Sequence, residues 1–517
     1  MPDSTDEADL VILDAEVWTG EPQRPSARAL AAKNGLLVAV GTNADAEAWV
    51  GDLTAVRSMA GAFVCPGFVD AHAHAAAMAG RLSWLRLEEA SRAEVLRMVS
   101  ERAKGGGWVL GRGWDESLWP DRRYLTRREL DTAAGTVPAM LVRVDGHMLA
   151  LNSAALQLAQ VPRGMRLTEL GMDGTPSGIL KEEAAVHALA LAATTTEQIE
   201  AGLPEAVARL HALGITAVHD MVGGEGLEAW TRYLQRNKTL RVTANFYLRD
   251  LLGQMAARGM SSRMGDDWLR LGAAKVFADG SLGARTAALS RPYEDDRGER
   301  GFLLLGIPEL RAALREAHYG AFQLAVHAIG DRAAYVVAEE LASLQAPEAR
   351  HRIEHFEMPG EAALDLAHEQ DLVASMQPNF VGQWSQPGGL YEQRLGDRYA
   401  TTNPYREVLR RGIPLCFGSD GMPYGPLYGI HSAVNAPFVE QRLSVEEALR
   451  AYTAGGAHAS GDEAKTGTLL LGKFADFVAL DRDPRKEPAK VREAAVTLTV
   501  VGGRVMHATR RGRPGKS

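Results

Sequence analysis

The chain has 517 residues, a formal net charge of −8, 46% hydrophobic and 24% charged residues, an ordinary soluble balance with enough apolar side chains for one large barrel and a minor domain. Positive charge is scattered, dense only at Arg122-Arg123 with Arg127-Arg128 and in the tail over 510–516, which excludes a nucleic-acid surface; Cys65 and Cys416 cannot build a disulfide framework and read as buried thiols. No apolar run reaches the roughly 20 residues that span a membrane, and the acidic start MPDSTDEADL lacks the basic-then-apolar order of a signal peptide, so a cytoplasmic protein is expected.

Residues 9–65 alternate short strand-like runs with turns, as in DLVILDAEVWTG and SMAGAFVCPG, and residues 467–507 repeat that texture in GTLLLGKFADFVALDRDP and AAVTLTVVGGRVMHA. The two ends are expected to pair into one β-sandwich domain over 1–65 and 466–517, the alternative being two unrelated end caps. Between them, over 66–465, strand-like and helix-like runs alternate, the pattern of a parallel sheet. Eight apolar runs end in polar residues: FVCPGFVDAHAH, GITAVHDM, RVTANFYL, LGAAKVFADG, QLAVHAIGD, HRIEHFE, LVASMQPN and IPLCFGSD. Eight strands close a (β/α)8 TIM barrel, an α/β fold. Residues 75–213 are too many for a simple crossover. That stretch therefore holds an inserted subdomain with its own strands, GGWVLGRGWD and PAMLVRVDGH.

Chemistry in such a barrel sits at the C-terminal ends of the strands. The candidate strands end in His72 and His74, Lys275 with Asp279, His327, His355 and Asp420. His72 and His74, two apart, point to one side of a strand and can grip one divalent ion. Taken singly, His72 and His74 also read as a polar strand end facing solvent, His327 and His355 as hydrogen-bonded core residues and Asp420 as a helix N-cap; their shared rim favours a metal site of imidazoles and a carboxylate, with zinc the expected ion, one or two in number. Lys275 inside a barrel strand is costly as an ammonium. It either pairs with Asp279 or reacts with CO2 to give a carbamate, an anionic oxygen ligand. Asp70 shares the strand face of His72 and is read as orienting a ligand. Arg112, Trp114, Asp115 and His147 of the insertion, with Gly280 and Ser281, are candidates for substrate binding; Trp119, Trp384 and Tyr424 are candidates for an aromatic wall or for plain packing.

These motifs, PGFVDAHAH, GRGWDESLW, RVDGHMLALNSAAL, GITAVHD, KVFADGSLGARTAAL, AVHAIGDRA, RIEHFE, FGSDGMPYGP and GKFADFVALDRDP followed by VGGRV, run in order along nearly the whole chain. The chain resembles the amidohydrolase superfamily, in its amidohydrolase family 3 branch, which includes the N-substituted formamide deformylases. The resemblance implies a TIM barrel with a composite β-sandwich from both chain ends. It implies His72, His74, His327, His355 and Asp420 as metal ligands, and an often carboxylated lysine at Lys275. It also implies hydrolysis of an amide or other C–N bond of a small molecule by a metal-activated water, with Asp420 as general base. Hydrolysis of a lactone, cyclic imide or ester on the same site, or a non-catalytic binding role, stays open at this level, as do the substrate and any homo-oligomer.

Overall fold

Eight parallel strands follow one another in chain order around a barrel: β1 (Phe68–Ala73), β2 (Ile215–Val222), β3 (Arg241–Tyr247), β4 (Leu269–Phe277), β5 (Leu324–Ala328), β6 (Arg352–His355), β7 (Val373–Met376) and β8 (Leu415–Phe417). The computed structural model describes residues 7–162, 168–170, 175–421 and 424–509; the basic tail over 510–516 lies outside them. Each of the eight runs recognised in the sequence carries one of these strands. They read as apolar runs because helices cover their outer face while the barrel interior buries the other; β2, β5, β6, β7 and β8 are buried at every position. Helices such as Ile307–Tyr319 and Asp331–Ala342 turn Leu310, Leu314, Val337 and Leu341 onto the sheet.

The barrel closes where β8 meets β1. The seam is a parallel bridge between Ala73 and Asp420, in which the Asp420 N–H donates to the His72 carbonyl at 2.7 Å. A Cβ at Gly418 would lie 2.3 Å from the His72 nitrogen, so only glycine lets the two backbones approach this closely. Gly418→Ala is expected to cost about 1–3 kcal/mol, the usual range for overpacking, read as a lower denaturant midpoint; an unchanged midpoint would show that the seam relaxes freely.

FVCPGFVDAHAH, met in the sequence as one strand, is two. Phe68–Ala73 enters the barrel, but Phe63–Pro66 belongs to a six-stranded sheet in the order 504–508, 496–501, 477–480, 63–66, 16–18, 26–27. There Phe477–Leu480 runs antiparallel to Phe63–Pro66, with Phe477 opposite Pro66 and Leu480 opposite Phe63. The two ends of the chain therefore pair. A four-stranded sheet of 36–41, 29–33, 10–13 and 55–58 stands against it, and Leu10, Ile12, Leu30, Val64, Phe477, Leu498 and Val500 fill the space between. Arg241 at the start of β3 bonds Asp476 at 2.6 and 3.1 Å, tying this layer to the barrel. Cys65 and Cys416 are both buried and free.

Within 75–213 lies a further sheet, in the order 168–170, 176–181, 148–151, 139–143, 109–114, 85–86. Two of its inner strands, 109–114 and 139–143, fall in GGWVLGRGWD and PAMLVRVDGH. Among the described residues no helix is long and apolar enough to cross a membrane.

Candidate metal centre

The barrel's C-terminal mouth gathers the ionisable strand ends. His72 lies in β1, and His74 caps the helix Ala75–Gly80 that follows. His355 ends β6, and Asp420 stands just beyond β8. Ligand atoms of His72, His355 and Asp420 all lie within 4.8 Å of one another. His74 Nε2 is 3.0 Å from Asp420 Oδ1. The His72 ring is 5.6 Å from that of His74 and 4.9 Å from that of His355, and His327 is 4.4 Å from His355. His355 and Asp420 adopt left-handed backbone, φ 73° and 54°, a conformation that costs a non-glycine residue energy and recurs at functional sites.

Burial drives the pKa of His72, His327 and His355 well below the usual imidazole range, so these rings are neutral, the form that binds metals. Burial pushes the Asp420 carboxyl up, but the hydrogen bond from His74 and the neighbouring imidazoles and Lys275 outweigh it and hold the group below the ordinary carboxylate range. Lys275, in β4, is 2% exposed. Its Nζ has no hydrogen-bond partner and lies 4.9 Å from the Phe277 ring centre. Burial pulls its pKa down to about 8, against the pull of Glu354 and Asp420. The ion pair with Asp279 allowed by the sequence is not formed: Asp279 accepts backbone N–H bonds from Ala288, Ile329 and Gly330 at 2.8–3.0 Å. Neutral imidazoles, an ionised carboxylate and an unsatisfied buried amine on one rim are a donor set that fits a divalent ion.

The candidate ligands are held by groups that sequence reasoning missed. Glu354 Oε2 accepts from His72 Nδ1 at 2.6 Å, and Arg352 pairs with Glu354 at 2.7 Å. Arg352 also donates to the Ala71 carbonyl, Ser375 Oγ and His219 Nδ1 at 2.6–2.9 Å. This carboxylate fixes the His72 tautomer and leaves Nε2 as the atom that could hold a metal. The available signal was Arg-Ile-Glu-His itself, two charged residues one apart inside a barrel strand. His355 Nδ1 bonds Gln377 Oε1 at 2.7 Å, and His327 Nε2 bonds the Gly280 carbonyl at 3.1 Å. Asp70 reaches no ligand side chain; it accepts the backbone N–H groups of Ser419 at 2.9 Å and His72 at 3.4 Å, which clamps the seam instead. Glu354→Gln is expected to weaken metal affinity about 10–100-fold, as loss of such a partner typically does. Titration against a competing chelator reads this directly, and an unchanged affinity would remove Glu354 from the site.

Above the cluster opens a cleft of about 330 Å³, whose walls include His147, Ser281, Glu357, Phe380, Trp384 and Tyr391. His147 arrives from the insertion. Its ring is 5.3 Å from that of His327 and its Nδ1 bonds Glu182 Oε2 at 2.9 Å. Burial opposes its protonation, but Glu182 and Asp145 raise its pKa to about 9. Ser281 Oγ donates to Asp145 Oδ2 at 2.7 Å. A Cβ on Gly280 would meet Thr286 and Glu182 at 2.1 and 2.2 Å, so Gly280 sets loop packing beside the ligands. Asp115 stands behind the wall, accepting from Trp384 Nε1 at 2.9 Å. Trp114 and Trp119 do not reach the cleft. They are buried in the insertion's own apolar core, their rings 6.0 Å apart, with Nε1 donating to Leu141 and Ala90 carbonyls. Arg112 and Tyr424 are not among the residues that line this cleft.

A model described as the amidohydrolase family matches residues 56–507. The N-substituted formamide deformylase of Arthrobacter pascens is 28% identical over 539 residues, covering 96% of this chain and 97% of its own. Protein LONG AFTER FAR-RED 3 of Arabidopsis thaliana is 28% identical over 545 residues, covering 97% of this chain and 92% of its own. The crystal structure of an uncharacterized metal-dependent hydrolase from Pyrococcus furiosus superposes with a TM-score of 0.73 at 27% identity, covering 92% of this chain and 99% of that one.

Proposed function

We propose, from the premise that the chain belongs to the amidohydrolase family, that it is a metal-dependent hydrolase cleaving an amide or other C–N bond of a small molecule, not a peptide bond of proteins. The observation that carries this reading is the convergence of His72, His355 and Asp420 within 4.8 Å beside the unpartnered buried amine of Lys275. His72, His74, His327, His355 and Asp420 are the residues that would hold the metal, zinc being the ion their nitrogen and oxygen donors suit. Lys275 would join them as a carbamate, formed when its neutral nitrogen bonds the carbon of CO2 and releases one proton. A divalent ion held here would lower the pKa of water from 15.7 to about 7 and would polarise a carbonyl.

The chain's own groups do the rest. Asp420 takes a proton from the attacking water and passes it to the leaving nitrogen. Glu354 holds His72 in one tautomer. His147, fixed by Glu182, faces the cleft where the substrate carbonyl enters, and Phe380, Trp384 and Tyr391 exclude water from its apolar wall. The reading is tested by metal analysis of protein purified without chelator, paired with a hydrolysis screen of N-formyl amines, N-acyl amino acids, dipeptides, hydantoins and lactones. Bound divalent metal and turnover of an amide are expected. Absence of metal sinks the proposal, and turnover of lactones alone replaces the bond without moving the site.

A further inference from the structure

Arg352 and Glu354 stand two apart on β6, so their side chains leave the same face of the strand. Both are buried, at 1% and 0% exposure. In the sheet β7 and β8 stand between β6 and β1, and the strand carrying His72 meets the strand carrying His355 across the barrel interior. Arg352 makes that join. Its Nη2 donates to the carbonyl of Ala71, the residue before His72, at 2.6 Å, and to Ser375 Oγ on β7 at 2.9 Å. Its Nη1 donates to His219 Nδ1 on β2 at 2.9 Å. Arginine has no acceptor atom, so the His219 ring is the tautomer with its proton on Nε2. Arg352 Nε faces Glu354 Oε1 at 2.7 Å as a charge contact rather than an aligned hydrogen bond, and Glu354 Oε2 accepts from His72 Nδ1 at 2.6 Å.

One guanidinium thus touches β1, β2, β6 and β7, and it holds a single dipeptide twice: Ala71 by its carbonyl, and His72 by way of Glu354. A buried arginine keeps its charge, and a buried ion pair often adds nothing to stability over apolar residues of similar volume. What this pair supplies is fixed geometry between two strands that share no ladder. We infer that Arg352 is a positioning residue for the metal centre, a brace that sets His72 on β1 against His355 on β6 and acts largely through Glu354. The two rings it spaces are 4.9 Å apart. The brace rests on the metal-dependent reading of the site. Its rival is a plain strut, in which the same bonds hold the barrel together and leave the ligands unaffected.

Zinc affinity of the full chain, stripped of metal and titrated against a competing chelator, separates the two. Arg352→Gln is expected to weaken zinc binding about 10–100-fold, the loss typical of an outer partner of a ligand. Combined with Glu354→Gln, it should fall short of the product of the two single losses by more than about twofold, the margin within which independent residues multiply. A combined loss equal to that product overturns the brace and makes Arg352 a strut. Arg352→Lys keeps a cation in the core, and it decides the matter should Arg352→Gln not fold. One ammonium cannot reproduce the guanidinium's fork across Ala71, Ser375, His219 and Glu354, so zinc affinity about fivefold below native is expected, roughly the worth of one hydrogen bond. Thermal unfolding of the metal-free variants reads the structural share. A lower melting temperature with native zinc affinity assigns Arg352 to the fold alone and overturns the proposal. A native chain that binds no zinc overturns the brace and the metal reading together. Zinc bound without turnover of any amide defeats the reaction alone, and the brace still stands or falls on affinity.

Discussion

Asp420→Asn is expected to lower kcat by about three orders of magnitude, within the 10²–10⁴ that a positioned proton acceptor contributes, while the fold survives. Asparagine is close in shape and tolerates the left-handed backbone that Asp420 adopts at φ 54°, so the seam bond to the His72 carbonyl is kept. One carbonyl oxygen still faces His74, but the amide cannot accept the proton of the attacking water. Metal stoichiometry by mass spectrometry and kcat on the best amide of the screen are read together. A variant that holds its metal and turns over within about tenfold of the native rate would move the base elsewhere, and His147 would be the next group to test.

Lys275→Ala carries the second large effect. Its amine is buried with no hydrogen-bond partner, so as a bare side chain it only destabilises the barrel. Removing it is therefore expected to leave the melting temperature unchanged or higher. If the nitrogen carries a carboxylate that ligates metal, the same change should weaken metal binding beyond the roughly 10–100-fold typical of an outer partner and abolish most turnover. Added acetate or propionate with zinc should restore part of both, because a free carboxylate can occupy the space left by the side chain. Full activity without added carboxylate sinks the carbamate, and a large fall in melting temperature with metal retained would make Lys275 a packing residue.

The barrel was readable because its strands are buried on both faces and so appear as apolar runs that stop at ionisable residues. The candidate ligand histidines were readable as ionisable residues at the ends of those runs, although Asp70, Arg352 and Glu354 stand in the same runs. What could not be read is pairing across the chain. Glu354 meets His72 only because β1 and β6 face each other across the closed barrel, and no local spacing encodes that. Asp70 shares His72's strand face, as its spacing requires, yet its carboxylate turns to the backbone of Ser419, which only the seam explains. Trp114 sits in a motif beside Arg112 and Asp115, but a register shift between Arg112 and Trp114, at Gly113 with φ 95°, turns it into the insertion's core while Asp115 backs the cleft wall through Trp384.

The pairing of Phe63–Pro66 with Phe477–Leu480 sets an order on assembly. The strand that leads straight into His72 and His74 has its outer neighbour near the opposite end of the chain, so during synthesis it waits with an apolar edge exposed until almost everything else has been made. Closing so long a loop is slow, and the barrel's first strand gains its final anchor last. The candidate ligands on β1 thus adjoin a strand whose outer partner is synthesised after the strands that carry His327 and His355.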